Sequence, residues 1–449
     1  MTIQDALYDV IGVGFGPSNL ALAIALDDAV RRRGAICAHH FIEKQPGFTW
    51  HGGMLLPDSD MQISFIKDLV SLRDPTSPLT FINYLHEKGR LEAFINQKTF
   101  FPSRVEFNDY LGWVAARFED RCSYGEEVVA IEPETAQGVV TCLRVRSRTG
   151  SGGETVRRAH NLVVATGGSP RVPAVFARLG GDARVFHSAR YLDRIGELGL
   201  ERQPAGRVAV IGGGQSAAEI TLDLHNRFPE LNVDLIFRGH ALKPADDTPF
   251  VNEIFNPDFT DYVFGQTAAR RDAIIREFRN TNYAVVDADL IEKIYAILYQ
   301  QKVRRSARLA LFGRSEVTHA AASADGLELV VVDGIAGTAG PRRYDAVVLA
   351  TGYDRETGHR LLSALAPYVE DFAVDRDYRL RTRPDFRPQI HLQGTSETSH
   401  GLSDTLLSVL AVRSQEIADS LLAAKGRRGA PPDRRDIGPP PRRFAVNDD

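Results

Sequence analysis

Residues 8–20 read YDVIGVGFGPSNL and residues 207–219 read RVAVIGGGQSAAE. In both, a short β-branched run stops at a glycine turn and a helical pattern starts without a linker. The first continues through NLALAIALDDAVRRR to the strand AHHFIEK, and the second through QSAAEITLDLHNRF to NVDLIFR. Strand, helix and strand in this order build a parallel sheet with right-handed crossovers. Two such openings predict an α/β fold with two Rossmann-like dinucleotide-binding domains.

The turns carry the chemistry. Gly14-Phe-Gly16-Pro17-Ser-Asn19 puts glycines where a tight turn lets a pyrophosphate approach free helix N–H groups. Asn19 replaces the usual third glycine, so the helix packs less closely there or the amide is put to use. Glu43 closes the next strand, where a carboxylate accepts both ribose hydroxyls of an adenosine. In the second loop, Gly212-Gly-Gly214-Gln-Ser-Ala217, the next strand ends in Arg238 instead of an acid. An arginine pairs with a 2′-phosphate that an acid would repel, which predicts NADPH in preference to NADH. The plainer alternatives are a surface glutamate and an ordinary strand-end arginine. An acidic first site and a basic second one predict a flavoprotein, with FAD on the first loop, that takes hydride from NADPH. Such proteins reduce a disulfide or activate oxygen. The chain has no C-x-x-C, and Cys37, Cys122 and Cys142 are too scattered for a dithiol, a disulfide framework or a zinc site. Oxygen activation is the branch that remains supported.

NLVVATGG (161–168) and DAVVLATGYD (345–354) end in the same small turn. The duplication predicts that the chain leaves the first domain near one and returns near the other. The expected organisation is a discontinuous FAD-binding domain, 1–172 and 346–425, and an NADPH-binding domain, 173–250 and 284–345. A small, mostly helical substrate-binding insertion is expected at 251–283. Residues 426–449, dominated by Pro, Gly, Arg and Asp, are expected to form a disordered tail.

Bulk properties bound the remainder. At 449 residues, 43% apolar and with a formal charge of −4, the chain offers no argument for nucleic acid or an anionic membrane as partner. No apolar run approaches the roughly 18 residues of a spanning helix, and no leader pattern opens the chain, so a cytoplasmic enzyme is expected. His39 and His40 point to opposite faces of a strand and make a poor metal site.

The chain resembles the microbial N-hydroxylating flavin monooxygenases of siderophore biosynthesis, the L-ornithine N5-monooxygenases in particular, from about residue 8 to 420. The likeness rests on GVGFGPSNLALA, FTWHGGMLLPDSDMQISFIKDLVSLRDPTSPLTFINYLHEKGR, VAVIGGGQSAAE, KPADDTPFVNEIFNP, NTNYAVVD, VLATGYD and SHGLSDTLLSVLA. The sister Baeyer–Villiger and amine/sulfide monooxygenases carry F-x-G-x-x-x-H-x-x-x-[YW]. Here His187 and Tyr191 are kept, but Gly181 and Ala183 replace the phenylalanine and glycine.

The resemblance implies that Lys67, set in the apolar run MQISFIKDL (61–69), pairs with the carboxylate of a bound amino acid. It implies that Asn252 and Asn282 hold the α-carboxylate and α-amine, with Ser408 near the reacting end. A buried zwitterion needs a cation for one end and amide oxygens for the other. The bland alternatives are a snorkelling lysine, a loop-capping asparagine and a helix-face serine. It further implies that Trp50 and His51 lie beside the flavin and that Gln62 reaches the isoalloxazine edge. Gln215 and Ser216 are expected at the NADP⁺ pyrophosphate and Arg104 near the nicotinamide. The implied activity is N-hydroxylation of the side-chain amine of L-ornithine by O₂ through a C4a-hydroperoxyflavin, with no side-chain nucleophile and no metal. A homo-oligomer, tetramer or dimer, is also implied. Lysine or a diamine as substrate, or an NADPH oxidase or reductase, are the alternatives.

Overall fold

The computed structural model describes residues 2–34, 37–199, 206–337, 339–355 and 357–428. Strand Thr2–Val13 lies at the centre of a seven-stranded mixed sheet. It pairs in parallel with His39–Glu43 on one side (Val10↔His39, Val13↔Ile42) and with Glu154–Val164 on the other. The strand starts earlier than YDVIGVG suggests, because its first residues pair with Thr155 and Val156. Glu154–Val164 serves two sub-layers. Its first half closes an antiparallel meander with Val139–Thr149 and Glu126–Ala136, while its second half carries the parallel strand Gln389–Leu392.

The second sheet is all parallel, in the order Leu309–Phe312, Asn232–Ile236, Arg207–Ile211, Ala346–Leu349, Val185–His187. This corrects the boundary expected at residue 346. Val347 and Val348 pair with Ala209 and Val210, so the strand Ala346–Leu349 belongs to the second sheet. The chain crosses between the sheets at a two-stranded antiparallel link, Ser169–Pro170 against Tyr353–Asp354. Helix Gln215–Arg227 and helix Ala288–Arg304 cover one face of this sheet through Ala217, Ile220, Leu224, Leu290 and Ile294. An antiparallel layer, 315–344, covers the other through Val317, Leu327, Leu329 and Val331.

Both glycine loops are fixed by one contact. Gly14 (φ +84°) turns so closely over the first A-T-G segment that a Cβ would lie 2.5 Å from the Ala165 carbonyl oxygen. Gly212 (φ +145°) does the same over the second, 2.2 Å from the Ala350 oxygen. Any side chain at either position meets both a backbone collision and a disfavoured φ.

Helices Phe81–Glu87, Leu91–Asn96 and Arg104–Ala115 form a further layer that the sequence patterns did not separate. Its aromatic core, Phe81, Tyr84, Phe94, Phe107 and Tyr110, packs with Phe41, Leu20 and Ile24 of the first domain. The insertion is helical as expected but begins two residues early, with Pro249–Asn252, Pro257–Phe264 and Ala268–Glu277. Its ends are stitched together where Ala245 N donates to Val286 O and Val286 N to Lys243 O. Helix Leu410–Arg428 runs through residues 426–428, which the tail had been expected to include. The remainder of that tail, 429–449, lies outside the described residues.

Candidate cofactor and substrate site

Gly16 is the N-cap of the 17-residue helix Pro17–Arg33, and no side chain caps it. Pro17 at the first turn costs no hydrogen bond, since that N–H has no intrahelical partner anyway. The other first-turn N–H groups are therefore open to an anion. Glu43 is buried beside them. Its Oε2 accepts from Phe15 N at 2.7 Å and its Oε1 from Gln45 N at 2.9 Å, so each oxygen keeps a lone pair. Asn19 is corrected from a ligand contact to a loop brace. Its Nδ2 donates to Gly14 O at 2.7 Å and Val13 O at 3.3 Å, and its Oδ1 accepts from Gln393 Nε2 at 3.0 Å. Fully buried, its side chain is committed to the loop, and its backbone N–H is what remains for an anion.

Around this loop, three buried polar atoms lack any partner: Thr166 Oγ1, Gln393 Oε1 and Thr395 Oγ1. Thr166 and Thr395 flank Gly358, within about the reach of one added Cβ. Orphaned buried hydroxyls beside an open helix N-terminus and a preset carboxylate fit FAD.

Trp50 packs its indole on Phe107 and edge-on to His51, with centroids 5.9 and 4.7 Å apart. His51 adopts φ +53°, a left-handed conformation unusual for a side-chain-bearing residue. The residue is partly open to solvent, and its ring lies close to Arg104 and Arg355. Burial, then those two charges, push it down to about 4. Tyr353, from the interdomain link, stands edge-on to both His51 and His187. Arg355 was not singled out from the sequence. It bears electrostatically on His51, Tyr353, Tyr283 and Glu397, and its place just after A-T-G-Y-D was the available signal.

In the second loop, Gly214 caps the 13-residue helix Gln215–Arg227, again without a side-chain cap. Ser216 has no side-chain hydrogen bond. Arg238, just past strand Asn232–Ile236, is exposed and its guanidinium is unpaired among the described residues. Three other expected contact residues have side-chain partners within the chain. Gln215 has its whole amide committed: Nε2 donates to Asp287 Oδ2 (2.7 Å) and Glu219 Oε1 (3.0 Å), and Oε1 accepts from Asp287 N (2.8 Å). Only its backbone remains for a pyrophosphate. Gln62 is exposed and donates to Asp287 Oδ1 at 2.8 Å through its Nε2. Arg104 is held by Glu219 in a buried bidentate pair (2.7 and 2.9 Å) and by Met54 O at 3.0 Å.

Lys67 is half-buried, and among the described residues nothing pairs with its ammonium. Burial alone lowers its pKa. Ser408 is buried at 4% exposure and its Oγ is a further orphan. Leu407, Trp50, Ile63 and Phe65 all pack against the same aromatic core, so the Ser408 and Lys67 segments border one cluster. Asn252 donates Nδ2 to Asp247 O at 2.7 Å, the loop-capping role, and keeps Oδ1 unpaired. Among the described residues, Asn282 has no side-chain hydrogen-bond partner. The segments of both asparagines meet at Ile254, Phe278 and Leu402, which line one small cavity. Beside Asn282, the Tyr283 hydroxyl donates to Glu397; burial and that carboxylate push it up to about 12. Among the described residues, no group of three or more His, Cys, Asp or Glu could hold a metal ion, and no helix is long and apolar enough to cross a membrane.

Two glycine loops that each open a helix without a side-chain cap, one followed by a buried carboxylate and the other by an unpaired arginine, define a flavin- and nicotinamide-dependent oxidoreductase. The model of the L-lysine 6-monooxygenase/L-ornithine 5-monooxygenase family matches residues 6–355. The L-ornithine N(5)-monooxygenase of Pseudomonas aeruginosa is 51% identical over 420 residues, covering 94% of this chain and 95% of the relative. The crystal structure of ornithine hydroxylase (PvdA) from Pseudomonas aeruginosa superposes with a TM-score of 0.90 at 50% identity, covering 94% and 100% of the two chains. The ornithine N-hydroxylase of Kutzneria sp. 744, solved with reduced FAD, NADP⁺ and L-ornithine, gives 0.87 at 40% identity over 95% and 100%. The chain belongs to the L-lysine 6-monooxygenase/L-ornithine 5-monooxygenase family and is an FAD- and NADPH-dependent monooxygenase.

Proposed function

We propose that the chain N-hydroxylates the side-chain amine of L-ornithine, using O₂, in the biosynthesis of a hydroxamate siderophore or related natural product. A cytoplasmic homo-oligomer, tetramer or dimer, belongs to the same proposal. The observation that carries it is the unpartnered Lys67 ammonium, half-buried in a segment that packs beside Trp50. A lysine desolvated without a partner is costly unless a ligand supplies the anion.

Bound FAD, reduced by NADPH, would supply the activated oxygen. Glu43 would hold its ribose, the Gly14–Gly16 turn its pyrophosphate, and Thr166, Gln393 and Thr395 its remaining polar groups. Arg238 would hold the 2′-phosphate of NADPH, and the Gly212–Gly214 turn its pyrophosphate. Lys67 would bind the substrate α-carboxylate. The free Oδ1 of Asn252 and the amide of Asn282 would accept from the α-ammonium. An alkylammonium has a pKa of about 10.4 and must be neutral to attack oxygen. Desolvation favours that neutral form. His51, neutral at working pH, brings no acidic proton to the cleft. The orphan Ser408 hydroxyl would orient the free amine.

L-Ornithine, L-lysine and putrescine assayed side by side for hydroxylamine, NADPH consumed and peroxide released test the proposal. Tight coupling with ornithine alone is expected. Coupling with lysine or the diamine would move the substrate, and peroxide with all three would mean an oxidase.

A further inference from the structure

Asp287 is the N-cap of helix Ala288–Arg304, yet its carboxylate makes no bond to its own helix. An aspartate at that position ordinarily accepts from the second or third helical N–H. Here each oxygen is given to a different element. Oδ1 accepts from Gln62 of the first domain and Oδ2 from Gln215, the first residue of the second-loop helix, while Asp287 N donates back to Gln215 Oε1. The line continues through Glu219 and Arg104 to the carbonyl of Met54, three residues past His51. Met54, Gln62 and Arg104 lie on the flavin side, and Glu219, Gln215 and Asp287 between them lie in the nicotinamide-side domain. The result is a closed polar bracket across the domain interface, with a single carboxylate joining its last two members.

We propose that Asp287 is a positioning residue that registers the second dinucleotide loop against the flavin-side segment Met61–Lys67, so that retention of NADP⁺ depends on it. The inference rests on the cofactor sites assigned above but not on the substrate. Gln62 carries no direct duty toward NADP⁺ in this account; its effect runs through Asp287. Rigid placement of the nicotinamide against its partner ring is what such a bracket supplies to hydride transfer.

The test is equilibrium NADP⁺ binding to FAD-loaded protein, by calorimetry and without amine. The variants are Asp287→Ala, Asp287→Asn, Gln62→Ala and Gln62→Ala/Asp287→Ala. Asp289→Ala, an exposed neighbour outside the bracket, is the control. Losing a hydrogen bond to a charged group is expected to weaken NADP⁺ roughly tenfold in Asp287→Ala and in Gln62→Ala. The double variant should be no weaker than Asp287→Ala, because the two residues act as one unit. Asp287→Asn should recover part of the affinity, since the exposed Gln62 amide can turn to meet either half of an asparagine. Flavin content and Tm should stay at wild-type values in Gln62→Ala. Wild-type NADP⁺ affinity in Gln62→Ala, or effects that multiply in the double variant, would overturn the proposal. Failure of the wild type itself to bind NADP⁺ would instead overturn the cofactor assignment.

Discussion

Lys67→Ala isolates the substrate anchor. The side chain is half-buried, and its pKa is lowered by burial with no compensating partner. In the ligand-free protein the substitution removes an unfavourable charge, so stability should hold or rise slightly. In the complex it removes the cation facing the α-carboxylate. Because Lys67 keeps partial access to water, the loss is that of a charge-assisted hydrogen bond, about 2–3 kcal/mol. A fully buried pair would cost about 3–5 kcal/mol. That range is roughly 30- to 150-fold in ornithine KM at about 1.4 kcal/mol per decade. Flavin reduction by NADPH should be unchanged, since the lysine takes no part in hydride transfer. Oxygen consumption should persist while product per NADPH falls and peroxide rises. Putrescine, which lacks the carboxylate, is the internal control: its gap to ornithine should close in the variant. In wild type, ornithine binding should weaken as pH rises through the lowered lysine pKa, because only the ammonium pairs with a carboxylate. Wild-type KM and coupling for ornithine in Lys67→Ala would refute the anchor and leave the lysine as a snorkelling side chain.

Arg238→Ala should raise KM for NADPH and leave NADH nearly unchanged, because only NADPH carries the phosphate; equal losses would make the arginine structural. Glu43→Ala should release FAD on dialysis, read as the ratio of flavin to protein absorbance, while ornithine KM of the reloaded enzyme stays constant. Arg104→Ala leaves Glu219 buried without its counter-ion and should cost about 3–5 kcal/mol in urea unfolding, with much of it recovered in Arg104→Ala/Glu219→Gln. His391 and His400 are fully buried and burial pushes each down to about 4. The unfolded chain binds those protons below pH ~6.5 and the native one does not, so stability should fall by about 2 kcal/mol per histidine from pH 7 to pH 5. His391→Gln should flatten that slope, as measured by denaturant midpoints at the two pH values.

The glycine loops were legible because their constraint is local. A turn whose Cβ would lie 2.5 Å or less from a carbonyl oxygen admits only glycine, and an A-T-G segment underlies each turn. The acid and the arginine at the following strand ends were legible for a related reason: strand length fixes where the next side chain emerges. The boundary at 346 was not, since a buried β-branched strand reads the same in either sheet and only pairing decides between them. Asn19 shows a different limit. Its position announced a departure from the glycine pattern, but whether the amide faces a ligand or its own loop depends on Gln393, hundreds of residues away.

The sharpest contrast lies within one short segment. Gln62 and Lys67 share the run MQISFIKDL, and family resemblance sends both toward ligands. In the folded chain Gln62 donates to Asp287, a partner that no periodicity could have revealed. Lys67 finds none. Buried polar groups are satisfied internally wherever the chain can supply a partner. A polar group that stays unpaired in a well-packed fold is therefore the better pointer to a ligand than one that merely sits in the right motif. By that criterion Lys67, Ser408 and the orphaned atoms of Thr166, Gln393 and Thr395 are the first residues to test for ligand roles. Gln62, Gln215 and Arg104 become the frame that holds the two cofactor loops in register.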